Sequence, residues 1–203
     1  WCMLCGKVTD EAATGLLPIY QWQRAQQWFT EHGTAEEQAQ IDLYLGRAYV
    51  EDGEYDKAMQ IYADALQLAK EHQAYNVAGY ICAYMADLYG FRDITSECLK
   101  KREEACEFFK KAENYKSYAY SLKDLAGEWA ILDSFACTIP LLQKADSISQ
   151  LLHNKNLTAA IANAFALIYE MQGKYNEAET AYLKAISTRS EESYKDSIGL
   201  LKV

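Results

Sequence analysis

Small, aromatic and aliphatic positions recur along this chain with a fixed period. Residues 45–66 read as one helix, a tight turn at Asp52-Gly53 and a second helix, and the same pattern returns every 40 residues. Stepping from Gly46 gives Gly6, Gly46, Ala86, Ala126 and Ala166; stepping from Ala65 gives Ala25, Ala65, Ala105, Ala145 and Ala185. The column through Tyr49 is Thr9, Tyr49, Tyr89, Trp129 and Tyr169, and that through Leu45 is Cys5, Leu45, Met85, Leu125 and Phe165. The column through Tyr62 is Trp22, Tyr62, Arg102, Leu142 and Tyr182, broken only at Arg102, where a thinner core is expected. Repetition of this kind defines the architecture before any local assignment is attempted. The physical reading is close packing. Helix axes lie roughly 8–10 Å apart, and small residues at the crossing permit the short end of that range.

The pattern predicts helices over residues 36–51 and 55–71, 76–90 and 95–113, 116–132 and 136–152, and 157–171 and 175–189. A helix beginning at Pro18 and ending near His32-Gly33 precedes them, where proline suits the first turn. The units are therefore 1–32, 36–72, 76–113, 116–153 and 157–189. A link at 190–193 then leads to a partial helix at 194–203. Pro140 falls inside a predicted second helix, so that helix either starts late, capped by Thr138, or kinks. Breaker or cap residues mark the turns at Asp52-Gly53, Gln172-Gly173, Asp133-Ser134 and Gly90 to Asp93.

Leu45-Gly46, Tyr49, Gly53, Tyr55, Ala58, Tyr62 and Ala65-Leu66 resemble the tetratricopeptide repeat signature, as do Phe165-Ala166, Tyr169, Gly173, Tyr175, Ala178, Tyr182 and Ala185-Ile186. The copies around Met85-Ala86-Tyr89 and Leu125-Ala126-Trp129 are in phase and degenerate. The usual repeat is about 34 residues. The extra residues here are expected between the second helix of one unit and the first of the next, making the helices longer. The resemblance implies an all-α fold, an α-α superhelix in which antiparallel helix pairs stack as a right-handed solenoid. Long-period versions resemble repeats of bacterial lipoproteins and of sensory or regulatory arrays, which leans the expected location toward a tethered place in the cell envelope, with the cytoplasm as the alternative.

Half of the residues are hydrophobic, with sixteen tyrosines and two prolines, which suits stacked amphipathic helices. The formal net charge of −9 repels phosphate backbones, so nucleic acid is not an expected partner. No apolar run approaches the roughly 20 residues that span a bilayer, and no basic-then-apolar signal is present. The chain starts at Trp1, within the phase of a first helix, and neither end carries a polar capping face. Both ends are therefore expected to be cuts in a longer repeat array, and the exposed ends offer a route to homo-oligomers. The six cysteines are Cys2, Cys5, Cys82, Cys98, Cys106 and Cys137. Cys2 and Cys5 have the spacing of a redox or metal half-motif, but Cys5 occupies a core column and no second pair follows. They, with Cys82, Cys98 and Cys106, read as buried small hydrophobes.

Nothing in the pattern builds a catalytic site, a metal site or a cofactor site. His32, His72 and His153 fall at the ends of second helices in different units, where a partial positive charge meets the helix dipole. No nucleophile-histidine arrangement and no phosphate-binding glycine loop is present. The family resemblance implies instead a binding surface on the concave side, lined by first helices. Its inward positions are Arg47, Tyr80, Tyr84, Asp87, Tyr120, Lys123, Asp124, Asn163 and Glu170, with Tyr44 and Phe91 at the margins. Tyrosines with interspersed polar groups suit an extended peptide or helix of a partner protein. The basic clamp for a C-terminal carboxylate is not expected, because its positions hold Leu43, Arg47, Tyr84, Tyr120 and Asp124, and only Arg47 is basic. The leading expectation is a non-catalytic protein-interaction scaffold. The alternative is a sensory or regulatory domain that binds a small ligand or signalling peptide.

Overall fold

The structure is a computed structural model that describes residues 17–200, with side chains described for 17–189. Among the described residues there are nine helices and no strand. They are α1 (Ile19–His32), α2 (Ala35–Glu51), α3 (Tyr55–Glu71), α4 (Tyr75–Phe91), α5 (Thr95–Lys111), α6 (Tyr115–Ile131), α7 (Phe135–Leu151), α8 (Lys155–Met171) and α9 (Tyr175–Leu200). The all-α helical repeat solenoid expected from the sequence is the fold that forms. The columns around Gly6, Cys5 and Thr9, with Cys2, lie outside the described residues.

The backbone has a finer period than the sequence. Helices α2 to α8 are each 17 residues long. Three-residue links join them, so a helix starts every 20 residues. The middle link residue is left-handed each time: Gly53 (φ 79°), Gln73 (57°), Asp93 (57°), Glu113 (54°), Asp133 (55°), His153 (50°) and Gly173 (71°). The next residue returns its N–H to a carbonyl five positions back. Glu54 donates to Tyr49 O at 2.8 Å, Ala74 to Ala69 O at 2.8 Å, Ile94 to Tyr89 O at 2.9 Å and Lys174 to Tyr169 O at 2.8 Å. This is the helix stop that a left-handed residue makes possible. Links within and between helix pairs are thus equally long, so the extra residues are not confined to the stretch between units, and they lengthen the helices as expected. A left-handed residue with a Cβ costs roughly 1–2 kcal/mol. Gln73→Gly is therefore expected to raise stability by about 1 kcal/mol in urea titrations.

Side-chain caps add to this at the starts of some first helices. Thr34 and Glu37 form a reciprocal capping box at α2. Asn114 Oδ1 accepts from Ser117 N at α6, and Asn154 Oδ1 accepts from Leu157 N at α8. Three expectations need correction. Helix α7 neither starts late nor takes Thr138 as its cap: it runs from Phe135 straight through Pro140. Pro140 and Ala136, whose carbonyl loses its ladder partner, are both exposed, so water can serve that carbonyl. Buried Thr138 donates its hydroxyl to Ser134 O at 3.1 Å. The link expected at 190–193 is absent, because α9 is continuous to Leu200. His153 is not the end of a helix but the left-handed residue of a link.

The chain divides into two compact units, one through residue 113 and one from residue 114. In unit 1, α2 pairs with α3 and α4 with α5; α1 lies on α2, α3 on α4, and α2 beside α4. In unit 2, α6 pairs with α7 and α8 with α9, with α7 on α8 and α6 beside α8. The small-residue columns are buried throughout: Ala65, Ala86, Ala105, Ala126, Ala145 and Ala166 have no exposed surface. Gly46 is the tightest crossing. A Cβ built there would stand 2.3 Å from Tyr62 Cε1, so the ring of the second helix occupies the space a side chain would need. The core is not thin at Arg102. That side chain is largely buried against Asp87, and Phe109, two turns further along α5, fills the interior instead. Its ring lies where a Cβ on Gly79 would be 2.8 Å away.

Candidate functional site

Unit 1 holds four of the residues expected on the first-helix face. Arg47 projects from α2, and Tyr80, Tyr84 and Asp87 lie on successive turns of the neighbouring α4. The Arg47 guanidinium stands over the Tyr84 ring, 5.0 Å from its centroid, an attractive contact of cation with ring face. Tyr84 also stacks on Tyr62 of α3, with centroids 6.3 Å apart. Tyr80 sets its ring edge-to-face with Phe109 at 4.8 Å and stays 37% exposed. Asp87 accepts a 2.7 Å hydrogen bond from Arg102 Nη2 of α5. The four groups feel one another. Burial raises the Tyr84 phenol above the ordinary tyrosine range, Arg47 draws it back, and Asp87 and Tyr80 push it further up. Unit 1 therefore brings its four expected residues together.

Two residues that the sequence reading treated only as core members of a column join this group. Tyr62 is fully buried, and its phenol is raised first by burial and then by Tyr84, with Arg47 lowering and Asp87 raising it. Arg102 anchors Asp87. The signal for both lies in the column itself. Apart from Leu142, its bulky members carry a polar group, and two of these reach the first-helix side of the hairpin: Arg102 meets Asp87, and in unit 2 the Tyr182 hydroxyl donates to Glu170 Oε2 at 2.9 Å. Of the two marginal positions, Tyr44 is corrected. Tyr44 is 2% exposed and stacks on Trp22 at 5.2 Å, so it is core. Phe91 is exposed, at the end of α4, with its ring 5.1 Å from Tyr55.

In unit 2, Tyr120, Lys123 and Asp124 form a half-buried group on α6, in which Lys123 and Asp124 make an ion pair. Burial raises the Tyr120 phenol, Asp124 raises it further, and Arg189 lowers it. Asn163 and Glu170 are exposed on α8 and make no bond to that group. Glu170 is tied to its own hairpin through Tyr182.

The other titratable side chains hold structure. His32 lies flat on Trp28 with centroids 5.0 Å apart. Cys82 is buried and donates to Glu104 Oε2 at 3.6 Å, and the same carboxylate receives Lys101 at 2.9 Å and Lys70 at 3.4 Å. One carboxylate thus joins α3, α4 and α5. Burial, then the Glu104 charge, pushes the Cys82 thiol up to about 12, which suppresses thiolate chemistry there. Cys98 and Cys106 are buried and Cys137 is exposed. Among the described residues no group of three or more His, Cys, Asp or Glu could hold a metal ion. No helix among them is long and apolar enough to cross a membrane.

Family models described as tetratricopeptide repeat match residues 45–73 and 158–192. The fold is similar to that of BtubC (BKLC) from P. vanneervenii, at 15% identity and a TM-score of 0.73, over 95% of this chain and 80% of that one. It is also similar to nearly identical TPR-like repeats of a Podosopora anserina protein described as a kinesin light chain. There the identity is 13% and the TM-score 0.68, over 94% of each chain. A variant of the same repeats carrying one substitution gives 12% identity and 0.70, over 95% of each. At these identities the likeness concerns the fold alone. No curated protein sequence matches this chain.

Proposed function

We propose that this chain binds an extended peptide segment of a partner protein on the faces of its first helices, a finer reading of the general protein-interaction scaffold that its tetratricopeptide repeat matches support. In unit 1 the contact residues are Arg47, Tyr80, Tyr84 and Asp87; in unit 2 they are Tyr120, Lys123, Asp124, Asn163 and Glu170. The observation that carries the reading is the unit 1 group. Two tyrosines one turn apart on α4, one of them 37% exposed, are braced by Phe109, Tyr62 and Arg47, so their rings are held in place before a ligand arrives. Rigid aromatic surface with charged groups at its edge gives contact area at small entropic cost. Asp87 and Arg102 satisfy each other and set one acceptor and one donor beside the rings.

The test is selection of peptides from a displayed random library on the purified chain, followed by titration of a selected peptide. Tyr80→Ala is expected to weaken binding about tenfold, the loss of one well-packed aromatic contact, with helical circular dichroism unchanged. Failure to select any peptide, or binding indifferent to Tyr80 and to Tyr120, would remove the reading.

A further inference from the structure

Helix α6 carries a glycine that its own packing does not use. Gly46, Gly79 and Gly90 each face the following helix: a Cβ there would meet the Tyr62 ring, the Phe109 ring and, at 3.6 Å, Cys98 Sγ. At Gly127 a Cβ would meet nothing within 4 Å, although the residue is half-buried and lies inside α6. Its φ is not left-handed, the condition that calls for glycine at Gly53 and Gly173. A glycine in a helix interior weakens the helix relative to alanine, so neither packing nor backbone conformation accounts for this one. Its column runs Arg47, Asp87, Gly127, Leu167. Arg47 and Asp87 are contact residues of unit 1, and Leu167, on the α8 that lies beside α6, is 48% exposed. The column is thus the open side of the first helices. Only at α6 is it stripped to the main chain.

We propose that the main chain of the bound peptide crosses α6 at Gly127. The inference rests on the peptide reading above and specifies how unit 2 holds its ligand. Tyr120, Lys123, Asp124 and Gly127 are spaced so that they share one side of the helix. Bare backbone at Gly127 lets another chain come into van der Waals contact with the helix, the use of glycine where a ligand approaches closely. Lys123 and Asp124, paired with each other, border this notch with an ammonium donor and a carboxylate acceptor on adjacent residues. Each has hydrogen-bonding capacity beyond that pair, and together they complement the C=O and N–H of a peptide unit. A segment held there is recognised by its main chain, so unit 2 reads an extended conformation rather than one particular side chain.

The purified 203-residue chain and a peptide selected on it from the displayed library test this, with affinity read by titration calorimetry and stability by urea titration. Gly127→Ala is expected to raise the urea midpoint and, in the same protein, to weaken the peptide about tenfold, the effect of one methyl of overpacking against the ligand. Gly127→Leu should weaken it further. The alanine penalty should persist for every single-alanine version of the peptide, because none of these shortens the main chain. Relief by truncating one peptide side chain would put a side chain at Gly127 and overturn the proposal. So would a lowered urea midpoint for Gly127→Ala, since the fold itself would then need the glycine. A peptide that depends on Tyr80 or Tyr120 but binds both Gly127 variants like the wild type overturns this inference alone and leaves the peptide reading standing. Failure to select any peptide, or indifference to both tyrosines, removes that reading and this inference with it.

Discussion

Replacing Phe109 with alanine is expected to destabilise unit 1 by about 4 kcal/mol, the cost of emptying a buried aromatic site that cannot collapse. Collapse is blocked on both sides. Gly79 faces the ring with bare backbone, and the edge of Tyr80 already leans on it. The loss should appear as early unfolding of α4 and α5 in hydrogen exchange, because helices of a repeat array depend chiefly on their neighbours. Helices α8 and α9 should keep their protection. Tyr80 also loses the partner that fixes its ring, so any peptide bound at unit 1 should bind more weakly even under conditions where the variant remains folded. Uniform loss of protection along the whole chain would contradict this account.

The second large effect is expected at Gly46. Alanine ordinarily strengthens a helix interior relative to glycine by up to about 1 kcal/mol. Here the added Cβ would sit 2.3 Å from a ring carbon of Tyr62, and Tyr62 is fully buried with Tyr84 stacked on it. Gly46→Ala should therefore cost about 2–3 kcal/mol by overpacking, measured by denaturant titration. The companion change Tyr62→Leu, which removes the ring, should recover much of it, because contacting residues do not contribute additively. Gly127→Ala is the internal control, since nothing stands within 4 Å of a Cβ there, and the same substitution should stabilise. Equal responses at Gly46 and Gly127 would mean that the close approach of α2 and α3 is wrong.

What the sequence made legible follows from which positions were constrained in type. Ala65, Ala105 and Ala145 are identical because each crossing leaves room for one methyl, and all three are buried. Gly53 and Gly173 announced their turns for the same reason. The links at Gln73 and Glu113 gave no such signal, since a side chain can occupy a left-handed position at modest cost, and so a period of 20 stayed hidden inside one of 40. Phe109 was missed because its column runs Ala69, Phe109, Ser149, Arg189, in which nothing repeats. One unit alone used that position to make good the ring that Arg102 displaced. For the proposed face, family phase selected Arg47, Tyr80, Tyr84 and Asp87 but assigned Tyr44 to the margin, when its ring is spent on Trp22. Phase states which way a helix position points; it does not state how far the neighbouring helix reaches over it.

The two glycine crossings of unit 1 lie at different heights. Tyr62 of α3 is received at Gly46 of α2, whereas Phe109 of α5 is received at Gly79 of α4. Where α3 has its ring α5 has Arg102, and where α5 has its ring α3 has Ala69. Moved forward by one hairpin, α3 would drive a tyrosine into the methyl of Ala86 and leave the notch at Gly79 empty. The hairpins are therefore keyed like mortise and tenon, each cut to its own mate, and shuffling them would fail even though their helices and links are equally long.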